Sequence, residues 1–412
     1  MKFRWEMEFK ETEIGEIPKD WEVKKINEIG EIGGGSTPST KVKDYWDGDI
    51  PWITPKDLAN HGSRFISCGE RNITRKAVIE NSLKLYPNGT ILLTSRAPIG
   101  YVAIIKNPVT TNQGFKNIAP KEGTNSEFLY YLLINISEYL KDISGGSTFE
   151  ELTKEILKDV LIPFPPLPEQ SRIATVLSWF DDLIEVKRRQ NEILEKTAMA
   201  IFKSWFIDFE PFRACPEQER GNYEFVYNEE LGKEIPKGWE VKKIGDVVKF
   251  IYGEGLPERN RKEGIYPVVG SSGIVGFHSE YIAEPPTIII GRKGNAGSVQ
   301  LFLENSYPID TVFYSSKHTA PEVIFYIYHL LKIISLEDMA LTDTAVPGLN
   351  IHMLNSLIIF IPPPPILQSF HSLIEPLFQK IILNQKQIMT LRKIRDTLLP
   401  LLVFGKLRLE EI

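Results

Sequence analysis

Cationic side chains set beside aromatic and glycine residues are the groups of this chain best suited to chemistry. Lys41, Lys43, Tyr45 and Trp46 share one loop-like stretch, and Arg64, Arg71, Arg75 and Lys76 follow it. Thr94-Ser95-Arg96-Ala97-Pro98-Ile99-Gly100 forms a tight polar turn between two apolar runs, and Asn112-Gln113-Gly114-Phe115-Lys116 forms another. Later in the chain Arg259, Arg261 and Lys262 precede Gly270-Ser271-Ser272-Gly273. Gly291-Arg292-Lys293-Gly294-Asn295-Ala296-Gly297 then stands where the first half has its Arg96 turn. Arg and Lys suit guanine edges, Asn and Gln suit adenine, and Ser suits either. Each residue taken singly fits a solvated surface equally well. The recurrence of an Arg-and-Gly turn sets Arg96 and Arg292 apart.

Catalytic patterns are missing. Gly33-Gly34-Gly35-Ser36 lacks a following Gly-Lys-Ser/Thr and reads as a flexible turn, not a phosphate loop. There is no Asn/Asp-Pro-Pro-Tyr/Phe, the motif with which amino-methyltransferases hold a flipped base, and no convincing glycine-rich dinucleotide or methyl-donor fingerprint. The 6 His residues show no HExxH and no paired ligand spacing. Glu-x-Lys triplets at Glu22, Glu185 and Glu240 occur in some nucleases, but such triplets are common and two of these sit beside a Trp in a repeated frame. No Ser-His-acid arrangement stands out. No catalytic residue and no metal ligand is expected, and what remains is binding chemistry.

The elements that must position these residues occur twice. Ile17-Pro18-Lys19-Asp20-Trp21-Glu22-Val23-Lys24-Lys25-Ile26 returns as Ile235-Pro236-Lys237-Gly238-Trp239-Glu240-Val241-Lys242-Lys243-Ile244, with one difference, at an offset of 218. Leu152-Thr153, Ile156-Leu157 and Val160 lead into a proline block at 163–168, and Leu349-Asn350, Met353-Leu354 and Leu357 lead into another at 362–365, now at an offset of 197. A period of half the chain means tandem duplication, not a solenoid. The shortening by about 21 residues falls between the repeated frames, so the two halves differ in their globular parts.

Each proline block opens a long apolar-periodic segment. The seam of the first runs through Ile173, Leu177, Phe180 and Ile184, then Leu194, Ala198, Ile201 and Trp205. That of the second runs through Phe370, Ile374, Leu377 and Ile381, then Ile388, Leu391, Arg395, Leu398 and Leu402. Both are heptad patterns with a polar break, including Asn191 and Asn384. A helix of about 38 residues spans roughly 57 Å. Neither is apolar all round, so the other copy is the simplest partner. A two-fold axis across them makes the pair antiparallel, with Asn191 and Asn384 placed to fix the register. Pro168 suits a first turn, whereas Pro376 should kink the second helix or delay its start. Thr90–Thr94, Tyr101–Ile105 and Thr287–Ile290 read as strands, and Phe128–Leu133 and Val323–Tyr328 as helices.

Composition sets the outer limits. A chain of 412 residues holds two or three domains, with no apolar run long enough for a membrane span and no signal peptide. Only Cys68 and Cys215 occur, which fits a reducing, cytoplasmic setting. A net charge of −6 speaks against a tight nucleic-acid binder acting alone. Residues 41–120 nevertheless carry 11 Lys/Arg against 6 Asp/Glu, whereas 241–320 carry 9 against 8. A reader that relies on partners to grip the backbone is compatible with this.

The duplicated Gly-x-Ile-Pro-x-x-Trp opening, at Gly15–Trp21 and, with one inserted residue, at Gly232–Trp239, and the Pro-Leu-Pro-Glu-Gln start of a helix at Pro166–Gln170 resemble the specificity subunit of Type I restriction-modification systems. The resemblance runs along essentially the whole chain. It implies an α+β fold, with two mixed α/β target-recognition domains related by pseudo-two-fold symmetry and joined by a pair of long antiparallel coiled-coil helices. The expected divisions are 1–158 for the first recognition domain, 159–217 for a spacer helix and connector, 218–360 for the second domain and 361–412 for the distal helix. It further implies a non-catalytic chain whose domains each read half of a bipartite site in double-stranded DNA. The helices would dock two methyltransferase subunits, and restriction/translocase subunits would complete the complex. S-adenosylmethionine, ATP and Mg are expected in those partners. The candidate DNA-binding residues are Lys41, Lys43, Tyr45, Arg64, Arg75, Arg96, Gln113, Lys116, Arg259, Arg261, Lys262, Ser271, Ser272, Arg292 and Lys293. The second helix starts with Ile366-Leu367 where the first has Glu169-Gln170, so partner contacts at the two starts need not be identical. Rival readings are a protein-only scaffold or degenerate subunit, and an enzyme with an unrecognised site.

Overall fold

The computed structural model describes residues 2–4, 8–96, 98–145, 151–213, 223–316, 319–334, 336–340 and 348–411. Ala97 and residues 214–222, which include Cys215 and the end of the expected 159–217 spacer region, lie outside them. The chain forms two compact units: residues 1–188 with 386–412, and residues 189–385. The first long helix, Leu167–Phe206, and the second, Pro364–Val403, each contribute to both units.

The first unit is built on a five-stranded sheet in the order Gly30–Gly34, Phe115–Pro120, Ile91–Ser95, Ile99–Ile105 and Phe65–Ile66. Helix Ser126–Asn135 covers it and buries Phe128 to Leu133 without a break, as it must when both its sides are enclosed. The Asn125 side chain caps this helix, accepting from the backbone N–H groups of Glu127 and Phe128 at 3.0 Å. A smaller sheet of Thr110–Thr111, Trp46–Ile53 and Arg71–Ile73 adds a satellite core around Trp46 and Trp52. The repeated frame forms its own ladder, Glu22–Lys25 against Leu161–Phe164, with Trp21 fully buried beneath it. Gly33 to Gly35 is not the flexible turn expected from sequence. Its first two residues end a strand, and a Cβ on Gly35 would lie 2.2 Å from the Thr111 carbonyl oxygen, so close backbone approach requires the glycine.

The second unit repeats this plan with fewer parts. Its main sheet has four strands, Phe250–Tyr252, Val312–Ser315, Thr287–Gly291 and Val299–Phe302, under helix Pro321–Ile333. A three-stranded sheet of Gly273–His278, Tyr266–Gly270 and Tyr307–Pro308 matches the small sheet of the first unit. The frame ladder is Glu240–Lys243 against Ile358–Ile361 over buried Trp239.

In both units the long helices pack antiparallel. In the first, Asp181 meets Arg395 and Lys187 meets Gln387. In the second, Asn191 meets Asn384, and Phe202 meets Phe370 with ring centres 5.8 Å apart. Of the seam residues, Ile173, Leu177, Ile184, Phe370 and Ile381 are buried. Phe180, Leu194, Ile201, Leu377, Leu391 and Leu398 are half-buried. Phe202, Phe206, Phe378, Leu399 and Val403 are also buried and lie outside the seam. The apolar face is broader than a coiled-coil stripe because each helix packs on a sheet-and-helix core as well as on its mate.

Pro168 lies in the first turn of its helix, but Pro376 does not delay the second one, which already runs from Pro364. Both Pro376 and Ser372 are exposed, so water can serve the Ser372 carbonyl that the proline leaves without its N–H. At the seam, the Asn384 amide nitrogen donates to the Asn191 amide oxygen at 2.8 Å, and both residues are buried. Asn191→Leu and Asn384→Leu should therefore each cost about 1–3 kcal/mol by stranding the other amide, while the two together should recover most of that loss. Denaturant unfolding of the two single variants and the double variant measures the coupling, and a double variant as unstable as the sum of the singles would reject it.

Candidate nucleic-acid interface

One end of each main sheet gathers polar groups. In the first unit the Ser95 N–H donates to the Gly114 carbonyl at 2.8 Å, which sets Arg96 beside Gln113 at the ends of adjacent antiparallel strands. The Ser36 N–H donates to the Thr111 carbonyl at 2.9 Å, bringing in the Gly35–Thr37 segment, whose Thr37 hydroxyl donates to the Gln113 side chain. The second unit repeats the arrangement. The Arg292 N–H donates to the Thr311 carbonyl at 2.9 Å and the Gly253 N–H to the Val312 carbonyl at 3.1 Å. Arg96 and Arg292 thus occupy corresponding turns, each half-buried.

Their surroundings differ. The Arg292 guanidinium lies over the Tyr252 ring at 4.9 Å and the Phe313 ring at 5.9 Å, and reaches the Asp310 carbonyl at 3.4 Å. A stacked guanidinium is held in one plane and loses less freedom when it engages a planar edge. Beside Arg96, Lys116 is drawn down onto the Glu151 carboxylate at 3.1 Å and the Ser95 hydroxyl at 3.3 Å. Lys116 is therefore partly neutralised where it stands.

The remaining candidates lie in turns, loops and short helices, most of them next to the small sheets, whereas Lys293 follows Arg292 beyond a main-sheet strand. Lys41, Lys43 and Arg75 are exposed, and the Tyr45 hydroxyl donates to Glu80 at 2.8 Å. Arg71 stacks on Trp46 at 3.5 Å, and Trp46 is core. In the second unit Arg259, Lys262, Ser272 and Lys293 are exposed. Ser271 is buried, its carbonyl accepting from the Ser298 hydroxyl at 2.7 Å. Arg261 donates to the Val275 carbonyl at 2.7 Å.

Arg64 does not belong with the surface candidates. It is 8% exposed, its Nε lies 3.2 Å from the Glu127 carboxylate, and it donates to Asp182 at 3.0 Å and to the Tyr131 hydroxyl at 3.1 Å. Tyr131 in turn donates to Asp181 at 2.7 Å, and Asp181 also receives Arg395. Burial and the Asp181 charge push the Tyr131 phenol well above its ordinary range, so it stays a donor. The guanidinium joins the sheet, its covering helix and the long helices of the first unit, and has no need of an external anion.

Glu169 and Gln170 are likewise internal. Glu169 accepts from the Trp21 indole N–H at 3.0 Å and from Arg408 Nε at 2.6 Å, while Arg408 also holds Asp20 at 2.8 and 2.9 Å. Gln170 accepts from the Asn125 N–H and donates to the Gly123 and Pro165 carbonyls. Their replacement by Ile366 and Leu367 therefore changes the inside of the second unit rather than a partner surface. There the Trp239 indole N–H is buried without a hydrogen-bond partner among the described residues, and its ring lies among Phe209, Phe212 and Phe360.

Comparison with known proteins accords with this two-reader geometry. The family model described as Type I restriction modification DNA specificity domain matches residues 18–196 and 236–393, and the chain belongs to that family. It is 54% identical, over 100% of its own length and 99% of the relative's, to the Type I restriction enzyme MjaIX specificity subunit of Methanocaldococcus jannaschii. It is 26% identical to the EcoprrI specificity subunit of Escherichia coli, covering 82% of each chain. The crystal structure of a Type I restriction-modification S subunit from M. genitalium superposes with a TM-score of 0.58 at 19% identity, covering 93% of this chain and 96% of that one, which is a likeness of fold.

Arg64→Ala should destabilise the first unit by roughly 2–4 kcal/mol, because Glu127 and Asp182 lose their counter-charge while remaining partly wet. Thermal melting gives the stability. DNA affinity of the folded protein at low temperature should stay near wild type. A variant of wild-type stability with weakened DNA binding would return Arg64 to the reading surface.

Proposed function

We propose that this chain is the DNA-sequence reader of a Type I restriction-modification complex, with one half of a bipartite double-stranded site assigned to each unit. The observation that carries the reading is the repeated sheet end that presents Arg96 in one unit and Arg292 in the other, on frames duplicated almost residue for residue. We take residues 1–158 and 218–360 as the two recognition domains, with 159–217 and 361–412 as the helical spacers. Phosphate grip is assigned mainly to partners, since the chain is acidic overall. Methylation and cleavage belong to partner subunits, with S-adenosylmethionine, ATP and Mg, and the setting is the cytoplasm. Among the described residues no helix is long and apolar enough to cross a membrane.

The helices support the proposed docking of two methyltransferase subunits. In the first unit Trp179, Leu183 and Val186 are 43%, 48% and 51% exposed at helical spacing. In the second Ile193, Leu373 and Leu383 are 62%, 49% and 47% exposed. Each unit therefore offers an apolar helix surface that its own core does not use, as a protein partner requires.

Co-expression with a methyltransferase subunit, followed by mapping of methylated adenines, tests the reading. A bipartite motif is expected, and exchanging residues 31–150 for those of another family member should change one half of it only. Unmethylated DNA, or a change in both halves, would sink it. Arg96→Ala and Arg292→Ala should each weaken DNA binding by the assembled methyltransferase without loss of assembly. A base contact is worth about 1–3 kcal/mol at one position, and a phosphate contact shows as a uniform loss with a smaller salt slope. Affinities unchanged across a salt series would remove both arginines from the interface.

A further inference from the structure

The second unit carries a β-hairpin whose outer strand is more apolar than an edge strand should be. Tyr266–Gly270 and Gly273–His278 pair antiparallel around Ser271-Ser272. The inner strand also pairs with Tyr307–Pro308, so Gly273–His278 is an edge of the small sheet. Its pairing shifts between Val268, opposite Gly276, and Val269, opposite Ile274, which leaves Val275 as an extra, bulged residue. The bulged carbonyl accepts from Arg261 Nη1 at 2.7 Å. Gly276 has φ +151°, and a Cβ there would approach that nitrogen to 2.7 Å, so the bulge and the arginine require glycine.

The bulge leaves three neighbouring apolar side chains in solvent. Ile274 is 55% exposed, Val275 39% and Phe277 43%. An apolar edge of this kind invites association unless it has a use. Strand addition by another protein is opposed, because the bulge breaks the ladder and Arg261 occupies the freed carbonyl. The flanking segment is charged instead. Arg259 and Lys262 are exposed beside Glu258 and Glu263, and the Lys262 ammonium lies 3.7 Å from the Glu280 carboxylate.

We propose that this hairpin enters the major groove at the second half-site, packing Ile274, Val275 and Phe277 on thymine C5-methyl groups. The inference rests on the DNA-reading function proposed above. A major groove about 12 Å wide admits a two-stranded ribbon, and the thymine methyl is its apolar landmark. Ser272 at the exposed tip meets a base edge, while Arg259 and Lys262 stand where the ribbon leaves the groove and meet phosphate. Among the described residues the first reader has no such hairpin, because a long segment separates its corresponding strands, Trp46–Ile53 and Arg71–Ile73. Methyl-dependent readout by this device is thus confined to one half of the site.

The test uses the assembled methyltransferase with its mapped target duplex and with duplexes carrying deoxyuridine for thymine, one position at a time. Deoxyuridine keeps base pairing and removes only the methyl group. At one or more thymines of the second half-site the wild-type complex should bind roughly three- to fivefold more weakly without the methyl, the worth of one buried carbon. Ile274→Ala, Val275→Thr or Phe277→Ala should abolish that sensitivity at the thymine its side chain covers. All three residues are solvent-exposed, and thermal melting confirms that the variants fold. Variants that keep the full wild-type response at every thymine would overturn the proposal, as would variants that lose methyltransferase assembly instead. A wild-type complex with no sequence preference at all would sink the DNA-reading function itself, a result separable from loss of the methyl effect alone.

Discussion

The buried amide pair Asn191–Asn384 is the constraint on which the helical frame depends. It sits in a seam whose buried apolar members in the second unit include Ala198, Ile374 and Ile381. Apolar knobs repeat every turn and accept several alignments at little difference in energy, so they do not select one. An amide does. Each Asn, slid by a heptad, would face apolar side chains and lose its partner at about 1–3 kcal/mol. The geometry here satisfies much of the pair: Asn384 donates to Asn191 at 2.8 Å and lies 3.3 Å from the Gln190 side-chain oxygen, and Asn191 reaches the Ile381 carbonyl at 3.4 Å. In the first unit an ion pair, Asp181 with Arg395, and a hydrogen bond from Lys187 to the Gln387 amide do the same work.

One frame therefore carries two chemistries at matching positions. Where the first unit has Asp181 and Arg395, the second has Phe378 and Ala198, and where the first has Glu169, the second has Ile366. The ionic hub around Arg64 is matched in the second unit by an aromatic cluster. In it His329 stacks on Phe202 at 5.5 Å and lies edge-on to Phe370 and Phe378 at 5.6 Å. Burial pushes His329 down to about 4, so the ring is neutral at ordinary pH and behaves as another aromatic. Both solutions join reader to helices, but they differ in what breaks them. A salted or truncated ion network fails by stranding charge, and an aromatic cluster fails by opening cavities. The second solution has a cost at Trp239: with Ile366 where the first unit has Glu169, its indole N–H has no acceptor among the described residues.

How much is legible in the sequence follows from where each interaction lies in the chain. The duplicated frame, the 197-residue offset and the heptads are local patterns, and they led directly to antiparallel helices on paired readers. Strands such as Ile91–Ser95 and Thr287–Gly291 were visible because an uninterrupted apolar run between turn residues has little else to be. Arg64 was misjudged because its partners Glu127, Tyr131 and Asp182 lie far along the chain, and sequence neighbours gave no hint of them. Glu169 and Gln170 were misread for the same reason, one being held by Arg408 near the other end of the chain. Pro376 does not delay its helix because it stands on an exposed face, where water replaces the lost donor.

The two arginine turns show how a duplicated frame can specify place without specifying recognition. Strand ends fix where Arg96 and Arg292 stand, and those ends are set by backbone pairing that tolerates almost any side chain. What each guanidinium can do depends on its neighbours, and those are not shared. Arg292 is held flat by Tyr252 and Phe313, which favours a planar, two-donor contact. Arg96 has no ring beneath it among the described residues, and Lys116 beside it is already engaged by Glu151. Selection can alter rings and carboxylates at these ends while leaving the ladders, the buried Trp and the helix register untouched. The energetic separation of frame from neighbourhood is what lets the two halves of one chain diverge in what they recognise.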